Sequence, residues 1–315
     1  MSAITVERLV KRYGPVTAVD DVSFEIAPGQ VTALLGPNGA GKSTIIEILT
    51  GLTAPSGGTV RVLGTIPRPG GRLGRAWRAR IGLVLQSESL DPQLTVTEAL
   101  SLFAGLYPRP LRVAEVLEAI DLAEDAGTRI GVLSGGQRRR VDLGLGIIGR
   151  PELLFLDEPT TGLDPEARRQ LWEVIGNLTA GGATVLLTTH YMEEAEQLAS
   201  RLIVLARGEV VADTTPGQLR ASGPPPAIRL PLRPGAPVTD LPSWLDVEAD
   251  EVHGALVIRC ADLTASLESL VGWARRNRID LTGLELGPPS LEDAYLALTA
   301  DPGQPRIPEE ELSHG

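Results

Sequence analysis

The chain of 315 residues carries a single cysteine, Cys260, so neither an intramolecular disulfide nor a thiolate metal cluster can be built from it. A reducing compartment suits such a chain. No uninterrupted apolar run approaches the length of about 18 residues needed to cross a membrane, which leaves no spanning-helix candidate. The N-terminal stretch MSAITVERLVKRYG also lacks the apolar segment and small-residue cleavage site of a secretory signal. Any membrane link is therefore expected to run through a partner or a surface. Basic residues are the minority, 29 against 40 acidic, and the net charge of -11 argues against general adhesion to nucleic acid or anionic lipid. The imbalance is uneven: residues 1–222 hold 22 basic and 25 acidic groups, whereas residues 223–315 hold 7 and 15. The C-terminal segment is thus the poorer candidate for a polyanion surface. Aromatics are sparse as well, at 3%, and none stands near the arginine run Arg138-Arg139-Arg140 to stack bases. Successive helical positions diverge by about 100°, so these arginines form no flat basic face and are expected to be solvated or dimer-facing.

What is present describes a folded chain of about two domains at roughly 150 residues each, with 43% apolar and 22% charged residues. Alternating apolar positions predict short strands around residues 4–9 and 19–26, either side of a turn at Tyr13 to Pro15. The strand Val31–Leu35 then runs into a glycine-rich loop and an apolar helical pattern ending near Gly51. Further strands are predicted at 54–64, 81–85, 153–157, 184–190 and 202–211, the last turning at Arg207-Gly208. A largely helical insert spans about 93–150, and a helix covers about 166–179. Strands alternating with helices predict an α/β unit with a parallel sheet over residues 1–222. Seven prolines between Pro224 and Pro242 mark a linker or irregular edge. A strand at 255–260, a helix at 264–277, a strand at 279–286 and a helix at 290–299 then predict a small α+β domain within 223–315, with a frayed acidic tail from 301.

Gly36-Pro37-Asn38-Gly39-Ala40-Gly41-Lys42-Ser43, followed by Thr44, satisfies G-x-x-x-x-G-K-[ST] between an apolar strand and a helix. The glycines let backbone N–H groups approach phosphates, and the helix N-terminus favours an anion. Lys42 reaches β and γ phosphates in such loops, and the Ser43 hydroxyl ligates Mg²⁺. The strand Leu153–Leu156 ends in Asp157-Glu158 at the sheet edge where α/β sites lie. Asp157 is the second candidate metal ligand, through a water, and Glu158 the candidate general base toward an attacking water.

Leu133-Ser134-Gly135-Gly136-Gln137 stands shortly before that acidic strand. With it the chain resembles the ATP-binding cassette subunits of ABC transporters over about residues 3–220. The expected fold is a P-loop α/β cassette with an N-terminal antiparallel β subdomain, a parallel-sheet core and a helical subdomain, followed by the α+β domain. The resemblance implies that Gln86 senses Mg²⁺ and the attacking water, that Asp164 lies in the D-loop, that His190 contacts the γ-phosphate, and that Tyr13 stacks on adenine. It further implies a head-to-tail dimer holding two ATP molecules, in which Ser134, Gly135, Gly136 and Gln137 touch the partner's nucleotide. The region around 86–110 would contact a membrane permease. None of Lys42, Asp157, Glu158 and His190 is lost, as a non-hydrolysing site would allow.

The strings LSGGQRRRVDLGLGIIGRPELLFLDEPTTGLDPEARR and TTHYMEEAEQLA, with Pro289 to Leu296, are similar to ATPases of the daunorubicin-resistance type. That likeness implies export of a drug, antibiotic or lipid-like compound from the cytoplasmic face of the membrane, through a separately encoded permease. It also implies a homodimer and a dimerisation or regulatory role for residues 223–315. Two other classes remain. A soluble ABC ATPase of translation or DNA repair would carry paired cassettes or sustained heptads, and neither is present. A nucleotide-switched regulatory module is disfavoured by the intact Glu158.

Overall fold

The computed structural model describes residues 2–69, 74–85, 90–231, 246–250, 255–260, 262–277, 280–287 and 289–299. Two compact units divide the chain, residues 1–216 and 217–315.

The first unit opens with β1 (Ile4–Tyr13) and β2 (Val16–Ile26), an antiparallel hairpin longer than the short strands expected from the sequence. Next come β3 (Val31–Leu35), α1 (Lys42–Leu49) and β4 (Gly57–Val62). β4 joins the other edge of β1, giving a three-stranded antiparallel sheet in the order β2-β1-β4. α2 (Arg75–Arg78) and β5 (Ile81–Val84) lead to the helical segment α3 (Val96–Ala104), α4 (Val113–Ala119) and α5 (Gly135–Ile147). α3 starts where it does because Thr95 accepts from the Glu98 amide while Glu98 accepts from the Thr95 amide, a reciprocal cap.

β6 (Leu153–Asp157), α6 (Pro165–Ala180), β7 (Thr184–Thr189), α7 (Met192–Leu198), β8 (Arg201–Ala206) and β9 (Glu209–Thr214) complete the unit. The core is a six-stranded sheet in the order β5-β6-β7-β3-β8-β9. β5, β6, β7, β3 and β8 run parallel, and β9 turns back antiparallel through Arg207 and Gly208. Both turn residues have positive φ, 52° and 86°, as the tightest hairpins require. Every residue of β3, β6 and β7 is buried, which is why these strands are rich in apolar residues on both faces and do not alternate with charged ones. The chain order of the three places a crossover between neighbours, so their C-terminal ends lie at one edge of the sheet. The fold expected from the sequence is thereby observed: an antiparallel β subdomain, a parallel core with interspersed helices, and a small α+β unit.

The second unit contains α8 (Pro216–Ala221, beginning at the boundary), β10 (Ala227–Pro231), β11 (Asp246–Asp250), β12 (Ala255–Arg259), α9 (Leu263–Asn277), β13 (Glu285–Gly287) and α10 (Leu291–Thr299). Its sheet is antiparallel, in the order β11-β12-β10-β13. Two sequence expectations fail here. The proline-dense stretch contains β10, an interior strand: Pro226 precedes it and Pro231 closes it, so Ala227 to Leu230 keep their amides. The strand expected over 279–286 shrinks to Glu285–Gly287, because Asp280 accepts from the Thr282 amide and Gly283 takes φ 86° to form a turn. Ile228, Ile258, Cys260, Leu270, Trp273 and Ala274 form this unit's core. Arg229 donates to both carboxylate oxygens of Asp293, at 2.8 and 2.7 Å, tying the sheet to the first turn of α10.

Phe155 lies at the middle of β6 and is fully buried. Phe155→Ala should cost about 3–5 kcal/mol by lost transfer energy and cavity formation, read as a lower midpoint in a urea titration of the whole chain.

Candidate functional site

The loop between β3 and α1 begins where the fully buried strand ends. Gly36, Ala40 and Gly41 are buried, while Pro37, Asn38 and Gly39 face solvent. Gly41 sits at φ 99°, and a Cβ there would stand 2.5 Å from the Ala18 carbonyl oxygen, so no larger residue fits. Gly41 also occupies the N-cap of α1 and offers no side chain to its first turn, leaving those N–H groups for an incoming anion. Thr44 lies half-buried one turn in.

Lys42 is 4% exposed. Its ammonium donates to the carbonyls of Gly36 at 2.7 Å and Pro37 at 3.0 Å and lies 3.4 Å from Glu158 Oε1. Burial pushes its pKa down, and the carboxylates of Glu158 and Asp157 pull it back only in part. The Ser43 hydroxyl donates to Asp157 Oδ1 at 3.1 Å. The same oxygen accepts from the Thr188 hydroxyl at 2.5 Å.

Glu158 departs from strand geometry at φ 45°, a left-handed conformation that costs about 1 kcal/mol or more for a residue with a Cβ. Its amide is held by the Thr188 carbonyl at 3.2 Å and the Thr188 hydroxyl at 3.0 Å. In a regular strand adjacent side chains point to opposite faces. The left-handed turn at Glu158 breaks that alternation, so Asp157 meets Ser43 while Glu158 meets Lys42. Glu158 Oε2 accepts from the Thr161 hydroxyl at 3.1 Å. His190, one residue past β7, brings Nδ1 to 3.4 Å from Glu158 Oε1, within ion-pair range when the ring is protonated, without forming a hydrogen bond.

The structure thus brings together Lys42, Ser43, Asp157, Glu158 and His190. The other candidates stand apart from this group in their contacts. Tyr13, at the end of β1, is 46% exposed and has the Lys11 ammonium 4.7 Å from its ring centroid. Ser134 is the N-cap of α5, accepting from the Gln137 amide at 3.1 Å while Gln137 Oε1 accepts from the Ser134 amide at 3.0 Å. Gln137 also donates to Asp125 at 2.9 Å. Gly135 opens the helix, and a Cβ on Gly136 would lie 2.7 Å from the Ala167 Cβ, so glycine lets α5 and α6 approach. Asp164 is the N-cap of α6, accepting from the amides of Glu166 and Ala167 at 3.0 and 2.9 Å. Gln86 lies outside the described residues.

Three side chains at the site were not singled out in the sequence. Thr188 and Thr161 supply hydroxyls to Asp157 and Glu158; Thr188 takes that place only through the pairing of β7 with β6. The third is Arg139, which corrects the expectation of a solvated or dimer-facing arginine run. Arg138 is exposed, but Arg139 and Arg140 are each only 8% exposed. Arg140 pairs with Asp121 at 2.7 Å, and Arg139 turns inward beneath β6. The helix that splays the three side chains points one outward and two toward protein.

Among the described residues no three His, Cys, Asp or Glu side chains gather as a metal site. Ser43 and Asp157 offer one hydroxyl and one carboxylate, the sparse oxygen set that Mg²⁺ uses when phosphates and water complete its octahedron. A cation between them would take the place of the proton they now share. The donor set fits Mg²⁺ delivered with a nucleotide.

Residues 19–161 match the family described as ABC transporter, and residues 226–290 match the ABC transporter domain-containing protein-like, C-terminal domain. The chain is 40% identical to the Nod factor export ATP-binding protein I of Paraburkholderia xenovorans (strain LB400), over 95% of this chain and 97% of that one. It is 38% identical to the daunorubicin/doxorubicin resistance ATP-binding protein DrrA of Streptomyces peucetius, over 98% and 96%. Among solved structures, cbiO1 from Clostridium perfringens, part of the ABC transporter complex cbiONQ, superposes with TM-score 0.63 at 27% identity over 70% of this chain and 91% of that one. The dimeric bacterial ABC transporter cassette MJ0796 superposes with TM-score 0.60 at 27% identity, over 67% and 98%.

Thr188→Val removes the hydroxyl that serves both Asp157 and the Glu158 amide while keeping the volume. It should lower stability by about 1–3 kcal/mol, the cost of stranding buried polar groups, and the denaturant midpoint of the nucleotide-free chain reads it directly.

Proposed function

Because the chain belongs to the ATP-binding proteins of ABC transporters, cassette ATPases that bind ATP with Mg²⁺, we propose that it powers export of a drug, antibiotic or lipid-like compound through a separate membrane permease. The observation that carries the hydrolytic part is the convergence of Lys42 and His190, each 3.4 Å away, on one oxygen of Glu158. A carboxylate so placed, one residue beyond a candidate metal ligand, can accept a proton from a water held between it and the histidine.

The roles divide accordingly. The N–H groups of the loop from Gly36 to Thr44 and the Lys42 ammonium hold the β and γ phosphates. Ser43 and Asp157, with Gln86, hold Mg²⁺, which when bound neutralises phosphate charge. Glu158 takes the proton of the attacking water, and His190 positions that water and the γ-phosphate. Tyr13 offers its half-exposed ring to adenine. Ser134, Gly135, Gly136 and Gln137, together with Asp164, serve the nucleotide of a second copy in a head-to-tail homodimer. The capped, exposed N-terminus of α5 supports this, since it presents a helix end to an external anion.

Full-length similarity to exporter ATPases of two cargo classes supports export and leaves the cargo to the permease. The daunorubicin-resistance type is the finer reading, carried by the extension through Pro289 to Leu296 and by similarity to three proteins of that name. No helix among the described residues is long and apolar enough to cross a membrane. A permease would supply the path and hold this chain at the cytoplasmic face, with residues 223–315 as a dimerisation or regulatory domain.

Glu158→Gln should keep ATP binding and lower steady-state hydrolysis about 100-fold or more. Phosphate release at the parent's rate would remove Glu158 from the role of base. Lys42→Ala should weaken ATP binding by at least about tenfold, as loss of a charge-assisted contact implies, and equilibrium titration with a fluorescent ATP analogue would read it.

A further inference from the structure

Arg139 lies five residues past the N-cap of α5, about 7 Å along the helix from Ser134. Its guanidinium makes four bonds to backbone carbonyls outside its own helix. Nε donates to Pro159 at 2.7 Å, Nη1 to Leu85 at 2.6 Å, and Nη2 to Asp157 at 3.1 Å and Glu158 at 3.2 Å. Asp142, one turn on, places a carboxylate 3.7 Å from it. Val84, Leu143, Leu156, Pro159, Leu171 and Ile175 line the crevice around the side chain.

These carbonyls belong to the ends of two neighbouring strands, β5 and β6, and to the turn that carries Glu158 at φ 45°. One planar fork therefore fixes the backbone of the candidate base, the residue preceding Gln86, and the helix whose first turn is Ser134 to Gln137. A lysine has a single charged point in place of the fork and cannot span the same carbonyls.

We propose that Arg139 is a positioning residue that couples the two ends of the chain's nucleotide chemistry: the Asp157-Glu158 turn that faces its own ATP, and the Ser134–Gln137 helix end presented to the ATP of a second copy. The proposal rests on the head-to-tail dimer reading. In that dimer each chain contributes to both sites, so a rigid tie inside one chain makes occupancy of its own site favour engagement of its partner's. The four bonds described end on backbone carbonyls, which remain in place when the Glu158 side chain is replaced.

The test uses the full chain carrying Glu158→Gln, in which ATP is retained. Two quantities are measured with Mg-ATP: affinity at protein concentrations too low for association, and the dissociation constant of the ATP-dependent dimer by analytical ultracentrifugation. Adding Arg139→Lys should leave the first within about twofold and weaken the dimer by roughly tenfold, the scale of a typical coupling between sites. Arg139→Gln should do the same, and serves where the lysine variant does not fold; thermal unfolding of each is followed in parallel. An unchanged dimer constant would overturn the proposal. Equal losses in ATP affinity and dimerisation would overturn it too, marking Arg139 as general structural support. Absence of any ATP-dependent dimer while Arg139 is intact would instead sink the dimer reading, and the coupling with it.

Discussion

A single oxygen, Asp157 Oδ1, organises the site: it accepts from the Ser43 hydroxyl at the start of α1 and from the Thr188 hydroxyl near the end of β7. Three segments far apart in sequence meet there. They can do so only because β6 and β7 pair in parallel with Asp157 opposite Thr188, while β3 and β7 pair with Leu35 opposite Thr189. A slip of one residue in either pairing would turn the apolar residues of a strand to the opposite face. Burial of β3, β6 and β7 along their whole lengths makes any slip that exposes an end expensive, at about 1.5–3 kcal/mol for each large apolar side chain left uncovered. The apolar core thus sets the alignment, and the alignment sets the distance between phosphate loop and carboxylates.

What could be read from the sequence follows the distinction between local and register-dependent features. The glycine-rich loop, the Asp157-Glu158 pair and the Ser134–Gln137 segment stand out in the sequence because each is a pattern of residues a few positions apart: strand, glycines, Lys42, hydroxyl. The strands of the parallel core were legible for the same reason, as runs rich in apolar residues. Thr188 was not, since a threonine at a strand end says nothing until its neighbour in the sheet is known. Nor was the left-handed turn at Glu158, which depends on the Thr188 hydroxyl and carbonyl holding its amide. In the second unit, proline density hid β10, because four proline-free residues suffice for an interior strand when the prolines sit at its ends. β11, with Asp246, Glu248 and Asp250 in five residues, alternates them with only Val247 and Ala249, too short a pattern to stand out until its pairing with β12 is known.

The two buried cations on either side of the Asp157-Glu158 turn are satisfied in different ways. Arg139 spends its fixed fork on backbone carbonyls of strand ends, acceptors that the sheet itself leaves over. Removing such a partner leaves several buried carbonyls without their donor, which makes the contact persistent. Lys42 is held by two loop carbonyls and faces one carboxylate at 3.4 Å, and burial pushes its pKa down further than the nearby carboxylates raise it.

That deficit gives Lys42 its direction. A group whose cationic form is penalised in the nucleotide-free site gains more from a new anion than a solvated lysine would, because the loss of water has already been met by folding. An anion that approaches the ammonium raises its pKa toward the ordinary value, so by linkage protonation of Lys42 and phosphate binding favour each other. Glu158 is the anion that the ammonium faces now, at 3.4 Å, and phosphate oxygens would share that ammonium. In the structure one oxygen of Glu158, Oε1, stands 3.4 Å from both the Lys42 ammonium and His190 Nδ1, so a phosphate that engages Lys42 would meet the carboxylate and the imidazole together.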